Sequence, residues 1–284
     1  MTRIAHLTDL HFGADDPAVV AGLIATLNAD PPDLVAISGD LTQGARHREF
    51  RAARAFMDAL HAPCLAVPGN HDITPYHLGE RFLDPYRRWH QEIGPATEPI
   101  WQDGTVAVLG LNTARRAGLH PDWSRGRITR GRLARLLERL DTLPRDLLRI
   151  VVAHHPLLPP DTLPLQTVVG GSQRALAAFA AHGVRLVLAG HLHRSYSRMA
   201  APSTNGAAPI ILQGGSATST RLRGEPNAYA RLEITAAGSV TVSGMVWTGG
   251  CWGADSEQAR PGLCPGPVGG ITRKRASHDA SKPP

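Results

Sequence analysis

The chain has 284 residues, of which 42% are hydrophobic and 19% charged, with a formal net charge of +6. This is the balance of a globular chain long enough for one large α/β domain or two small ones, and it excludes a disordered or fibrous polypeptide. Nearly all positive charge is Arg scattered along the chain, since Lys occurs only as Lys274 and Lys282, so nothing marks a nucleic-acid patch.

Three cysteines, Cys64, Cys251 and Cys264, form no CxxC and no disulfide framework, as expected of a reduced compartment. No apolar segment approaches the roughly 18 residues needed to cross a bilayer. Met1–Thr2–Arg3 runs straight into the first expected strand, leaving no room for a signal peptide. A cytoplasmic protein is expected.

Short apolar runs alternate with helical patterns. Strands are expected at 4–7, 34–38, 64–67, 105–111, 149–153 and 185–189. Between them, Phe50, Ala53, Met57 and Leu60 make one helical stripe, and Leu133, Leu136, Leu137 and Leu140 make another. A third, around Leu176 and Phe179, ends at Gly183 in a capping position. After residue 200 the pattern changes to strands without long helices, at 209–213, 229–235 and 239–247, expected as the far edge of a second sheet. From about Gly249 the chain is rich in Gly, Pro, Ser and charge. The expected division is a domain over 1–248 and a disordered tail over 249–284.

Polar residues fall at the ends of these apolar runs. The first run ends in "TDLH" (Asp9, His11), the second in "SGDL" (Asp40) and the third in "PGNHD" (Asn70, His71, Asp72). The run from 149 ends in "AHHP" (His154, His155), and that from 185 in "AGHLH" (His191, His193). Each piece alone reads as a turn or a satisfied polar pair. Together they are a set of metal-type donors, and in α/β sheets the carboxyl ends of strands are where ligands converge.

In this order the motifs resemble the calcineurin-like metallophosphoesterase superfamily, whose series is DxH, GD, GNH(D/E), H and GHxH. The spread from Asp9 to His193 covers most of the chain. "GLNT" at 110–113, "GHLHR" and "GSATSTRLRGEPNAY" at 215–229 are similar to the bacterial class III cyclic-nucleotide phosphodiesterase branch. Thr8 stands where Ser is more usual. The resemblance implies a four-layer α/β/β/α sandwich of two mixed β-sheets flanked by helices. It implies that Asp9, His11 and His193 bind one metal ion, that Asn70, His154 and His191 bind a second, and that Asp40 bridges both. His71 would not ligate but act as general acid or transition-state stabiliser. Asp72 is expected to orient its ring, and His155 either lines the substrate face or packs beneath its loop.

The chemistry needs such residues. A phosphodiester repels nucleophiles and has a poor leaving group; two cations ~3.5–4 Å apart bind its oxygens and lower the pKa of a shared water from 15.7 toward about 7. Cations that close require an anionic bridge. Mixed N and O donors suit Mn, Fe, Zn or Co better than Ca or Mg. The expected function is therefore a binuclear phosphoric diester hydrolase in which a bridging hydroxide attacks phosphorus in line, with 3′,5′-cyclic nucleotides such as cAMP leading. The same centre could serve other diesters, phosphomonoesters or a lipid-linked pyrophosphate, and a non-catalytic metal-bound module is a further alternative. The expected partner is a small phosphate ester, with no nucleic-acid or membrane signal; a homodimer is left open.

Overall fold

The computed structural model describes residues 1–117, 124–202 and 206–255. In chain order the elements begin with β1 (Thr2–Leu7), α1 (Pro17–Ala29), β2 (Leu34–Ile37), α2 (His47–Asp58) and β3 (Cys64–Ala66). Two short helices follow, α3 (Leu78–Leu83) and α4 (Arg87–Glu92), then β4 (Ile100–Gln102) and β5 (Val106–Leu111). Next come α5 (Arg130–Asp141), β6 (Leu148–Ala153), α6 (Ser172–Ala181), β7 (Val184–Ala189) and β8 (Tyr196–Met199). The last strands are β9 (Ile210–Gln213), β10 (Ala228–Ile234), β11 (Val240–Trp247) and β12 (Trp252–Ala254).

They build two six-stranded sheets, ordered β12-β11-β10-β1-β2-β3 and β4-β5-β6-β7-β9-β8. In the first, β1, β2 and β3 run parallel and β10 is antiparallel to β1. In the second, β5, β6, β7 and β9 run parallel, with β4 and β8 antiparallel at the edges. Both sheets are thus mixed, as the resemblance implies.

The central strands are buried on both faces, so period-2 alternation is present but reads in the sequence as an unbroken apolar run. In β1, Ile4 faces the layer between the sheets, while Ala5 and Leu7 face the α1 and α2 side. In β6, Ile150 and Val152 face inward, whereas Val151 and Ala153 pack with Leu133, Leu136 and Phe179 of α5 and α6. Three apolar layers therefore separate four structural layers, α/β/β/α. Helix starts are fixed locally: Asp16 accepts from the N–H of Ala18 and Val19 ahead of Pro17, and Thr129 accepts from the N–H of Arg132.

Two expectations are corrected here. The strands after residue 200 do not form one edge of a second sheet. Of these only β9 joins it, whereas β10 returns to pair with β1 from Thr2↔Ile234 to His6↔Ala230, carrying β11 and β12 into the first sheet. The expected domain boundary at 248 falls inside a hairpin, because Met245↔Ala254 and Trp247↔Trp252 pair across it. The aromatic rings of Trp247 and Trp252 lie 5.8 Å apart, which explains why pairing continues past Gly249. The remainder of the expected tail, 256–284, lies outside the described residues. No helix among the described residues is long and apolar enough to cross a membrane.

His6 lies in the inter-sheet layer, fully buried, with Nε2 2.8 Å from Ser38 Oγ and Nδ1 without a partner. Burial pushes its pKa down to about 4, against the pull of the Asp9 carboxylate. As pH falls below the ordinary value of 6.5, the unfolded chain gains a proton that the folded chain refuses until about 4. Stability should therefore fall across that window. His6→Gln should remove up to about 3 kcal/mol of this acid-dependent loss, read as a flatter pH profile of the urea midpoint.

Candidate metal centre

The parallel strands of both sheets end at one rim. Asp9 and His11 follow β1, Asp40 follows β2, Asn70 and His71 follow β3, His154 and His155 follow β6, and His191 and His193 follow β7. Six non-glycine residues among those described have left-handed backbone, and five of them are Asp9, His11, Asp40, His191 and His193. Their φ values lie between 51° and 79°. Such a conformation costs an L-residue about 1–2 kcal/mol. Its concentration at one rim marks strain held for a purpose.

The carboxylates and imidazoles converge. Asp9 Oδ1 lies 3.3 Å from His193 Nε2 and 3.6 Å from His11 Nε2, and those two nitrogens are 3.1 Å apart. Beside them, His154 Nε2 lies 3.2 Å from Asp40 Oδ2 and 3.2 Å from Asn70 Oδ1. Asp40 Oδ2 is also 3.7 Å from His11 Nε2, so one carboxylate faces both groups. The His191 ring packs 5.2 Å from that of His154. The structure thus brings together all seven expected donors.

The far sides of two of the rings, His154 and His193, are fixed by the backbone. His154 Nδ1 donates to the Ser38 carbonyl at 2.8 Å, and His193 Nδ1 donates to the Arg221 carbonyl at 2.9 Å. Both rings therefore present Nε2 inward, the orientation a metal ligand needs. Burial pushes the Asp9 and Asp40 carboxyls up, yet the surrounding imidazoles outweigh it and hold both well below the usual range. Burial likewise lowers His154, but the Asp40 carboxylate dominates and raises it to about 9. His191 is pushed down to about 4 by burial and the neighbouring His154, against the pull of Asp40 and Asp9. These side chains fit a pair of metal ions: Asp9 Oδ1 is buried without a hydrogen-bond donor, and the mixed imidazole, amide and carboxylate set suits transition metals.

Comparison with known proteins bears on this geometry. Residues 2–195, which carry the whole donor set, match the model of the calcineurin-like phosphoesterase family. The chain belongs to that family. A Synechococcus relative named "probable cyclic nucleotide phosphodiesterase" is 26% identical over 68% of this chain and 74% of its own length. An Arcobacter nitrofigilis relative named "probable glycerophosphodiester phosphodiesterase GpdQ" is 26% identical over 57% of each chain. Among solved structures, a dimetal phosphatase from Danio rerio superposes with a TM-score of 0.62 at 12% identity, covering 86% of this chain and 95% of that one, a likeness of fold.

His71 borders the donor set, with a ring nitrogen within 4.8 Å of ligand atoms of His11 and Asp40. Its Nδ1 donates to the Gln43 carbonyl at 2.7 Å, and its ring meets His11 edge-on at 4.8 Å. Asp72 does not reach that ring, contrary to expectation. It turns away and accepts four hydrogen bonds, from the N–H of Leu41, Thr42 and Gly69 and from Thr42 Oγ1. Asp72 thus ties the loop after β2 to the loop after β3, and the Gln43 carbonyl orients His71. Burial and the Asp40 charge push the Asp72 pKa up to about 6 despite those four donors.

His155 lies at the edge of the cluster with both nitrogens committed. Its Nε2 donates to the Ser124 carbonyl at 2.7 Å, and Nδ1 accepts from Thr113 Oγ1 at 2.8 Å. The ring so held is buried under the loop that carries Ser124 and also borders the cleft, within reach of His154 and His191. The sequence reading passed over Gln43 and Arg221, because backbone carbonyls that orient a ring leave no residue-type signal.

The two loop carboxylates should separate by their effects. Asp40→Asn should lower metal content from two ions per chain and, because the imidazoles hold this carboxyl well below its usual range, should also lower the melting temperature of metal-free protein at neutral pH. Asp72→Asn sets an amide donor against N–H donors, and should cost about 1–3 kcal/mol in metal-free stability. Elemental analysis and thermal melts on the same preparations check both.

Proposed function

We propose that this chain is a binuclear metal-dependent phosphodiesterase acting on small diesters, with 3′,5′-cyclic nucleotides leading. The observation that carries the reading is Asp40 Oδ2, placed 3.7 Å from His11 Nε2 and 3.2 Å from His154 Nε2. In this reading Asp9, His11 and His193 hold one ion, Asn70, His154 and His191 hold the other, and Asp40 serves both. When bound, the ions polarise the phosphoryl group and make a water nucleophilic near neutral pH.

The chain's own residues do the rest. Two carboxylates among neutral donors leave the loaded site electropositive, which draws in a phosphate ester. Asp40 Oδ1 accepts from the His71 N–H at 2.8 Å, so the bridging carboxylate and the unligated imidazole are set relative to one another. With Nδ1–H committed to Gln43, His71 Nε2 is the ring atom free to give a proton to the leaving oxygen.

The site opens into a cleft of about 360 Å³, the scale of a small ester. The Synechococcus relative's name favours cyclic nucleotides. A second reading, glycerophosphodiesters, has its own support: among the described residues no Phe, Tyr or Trp lines the cleft to stack on a base.

Metal-loaded protein should hydrolyse bis(p-nitrophenyl) phosphate, and comparison of cAMP with glycerophosphocholine then separates the two readings. Absence of turnover under every metal loading would favour a non-catalytic metal-bound module. His71→Ala should keep both ions and lose about 10²–10⁴ in kcat. Metal loss equal to that of Asp40→Asn would overturn the division of roles.

A further inference from the structure

Arg221 belongs to the loop between β9 and β10, and that loop is fastened to the segment carrying Asp9 and His11. Ser216 Oγ donates to the Asp9 carbonyl at 2.8 Å, and Thr218 Oγ1 donates to the Leu10 carbonyl at 2.7 Å. The Thr220 N–H and hydroxyl both donate to the Ala14 carbonyl, at 2.8 and 2.9 Å. Asn227 Nδ2 donates to the Ser219 carbonyl at 2.9 Å, and the Arg221 N–H donates to Ser219 Oγ at 3.1 Å. The backbone of Arg221 is therefore as well placed as a metal ligand, and its carbonyl orients His193.

The side chain turns back over the cleft. Its Nη1 lies 3.5 Å from His71 Nε2 and 3.3 Å from Gln43 Oε1. Both contacts are long, neither partner is anionic, and among the described residues no carboxylate pairs with this guanidinium. A guanidinium carried on a held backbone, with no carboxylate partner among the described residues and beside the imidazole nitrogen that points into the cleft, suits an anionic oxygen. The planar guanidinium fork is a cation whose donors match phosphoryl oxygens two at a time.

We propose that Arg221 is a substrate-binding residue which, with His71, holds the leaving-group side of the scissile phosphoryl group. This rests on the phosphodiesterase reading and extends it. In hydrolysis the P–O bond to the leaving alcohol breaks with its electron pair on that oxygen. The oxygen of water forms the new P–O bond, and one of its protons ends on the released alcohol. Arg221 faces the charge while it develops, before the proton arrives. The class of substrate this suits is a diester of an aliphatic alcohol, whose alkoxide is a poor leaving group and gains most from a preplaced cation.

The test compares the full metal-loaded chain with Arg221→Met and Arg221→Lys on a series of aryl methyl phosphates differing in the acidity of the phenol. Arg221→Met should lower kcat/KM by about 10²–10³, as for loss of an oxyanion donor. The loss should grow as the phenol becomes less acidic. Lys should recover part of it, and metal content should stay at two ions per chain. Calorimetry should show inorganic phosphate bound about tenfold more weakly by the Met variant. Wild-type kcat/KM and phosphate affinity in Arg221→Met would overturn the proposal. So would metal loss in step with activity, which would reduce Arg221 to a support for His193. If the wild-type chain hydrolyses none of these esters, the phosphodiesterase reading fails separately, and phosphate calorimetry alone decides: unchanged affinity sinks Arg221 as a ligand, and weakened affinity sustains it.

Discussion

The two sheets are joined at their polar rim by a pair of contacts on which the site depends. His154 Nδ1 from the second sheet donates to the Ser38 carbonyl of the first, and the His191 N–H donates to Asp9 Oδ2. Apolar packing between the sheets sets their separation but has no directional preference. These hydrogen bonds supply the direction, so the strand ends meet with imidazoles facing carboxylates. His154 and Asp9 each give one atom to the seam between the sheets and turn another toward the candidate metal centre.

Such a seam is electrostatically expensive. Buried carboxylates and imidazoles in a ring each carry a desolvation penalty, and the five left-handed donors add backbone strain. The protein offsets this with close approaches that only glycine allows. A Cβ on Gly69 would overlap the Asp40 carboxylate, and one on Gly190 would overlap Thr8 and Asp9. Around the ring stands a layer of hydrogen-bonding groups: the Thr8 and Thr42 side chains, the Asp72 carboxyl, and backbone carbonyls such as that of Ser38. Cations entering the ring would relieve the crowding of donors that now face one another at 3.1 to 3.7 Å.

The same layer explains how roles divide among similar residues. His154 and His155 are neighbours in sequence, yet the first points Nε2 at Asp40 and the second spends both nitrogens on Thr113 and Ser124. Asp40 and Asp72 are both buried, yet the first faces imidazoles and the second faces N–H groups. Burial raises both, but the imidazoles overcome it at Asp40, whereas at Asp72 the Asp40 charge adds to it and outweighs the N–H donors. Environment decides which of two identical side chains is chemical and which is structural.

The sequence by itself determined the strands of the two parallel cores, the three stripe-bearing helices and the seven donors, because apolar runs and the donor types at their ends are local properties. It missed α1, whose buried Val19, Leu23 and Leu27 are hidden among other apolar residues, so that no periodicity stands out. It missed α3 and α4 and the edge strands β4, β8 and β12, which are too short to carry a pattern. Only the tertiary structure decided that β10 returns to β1, that the Gln43 carbonyl and not Asp72 orients His71, and that Arg221 reaches over the cleft. Strand pairing and backbone acceptors depend on where distant segments meet, and every residue type offers the same N–H and C=O to that choice.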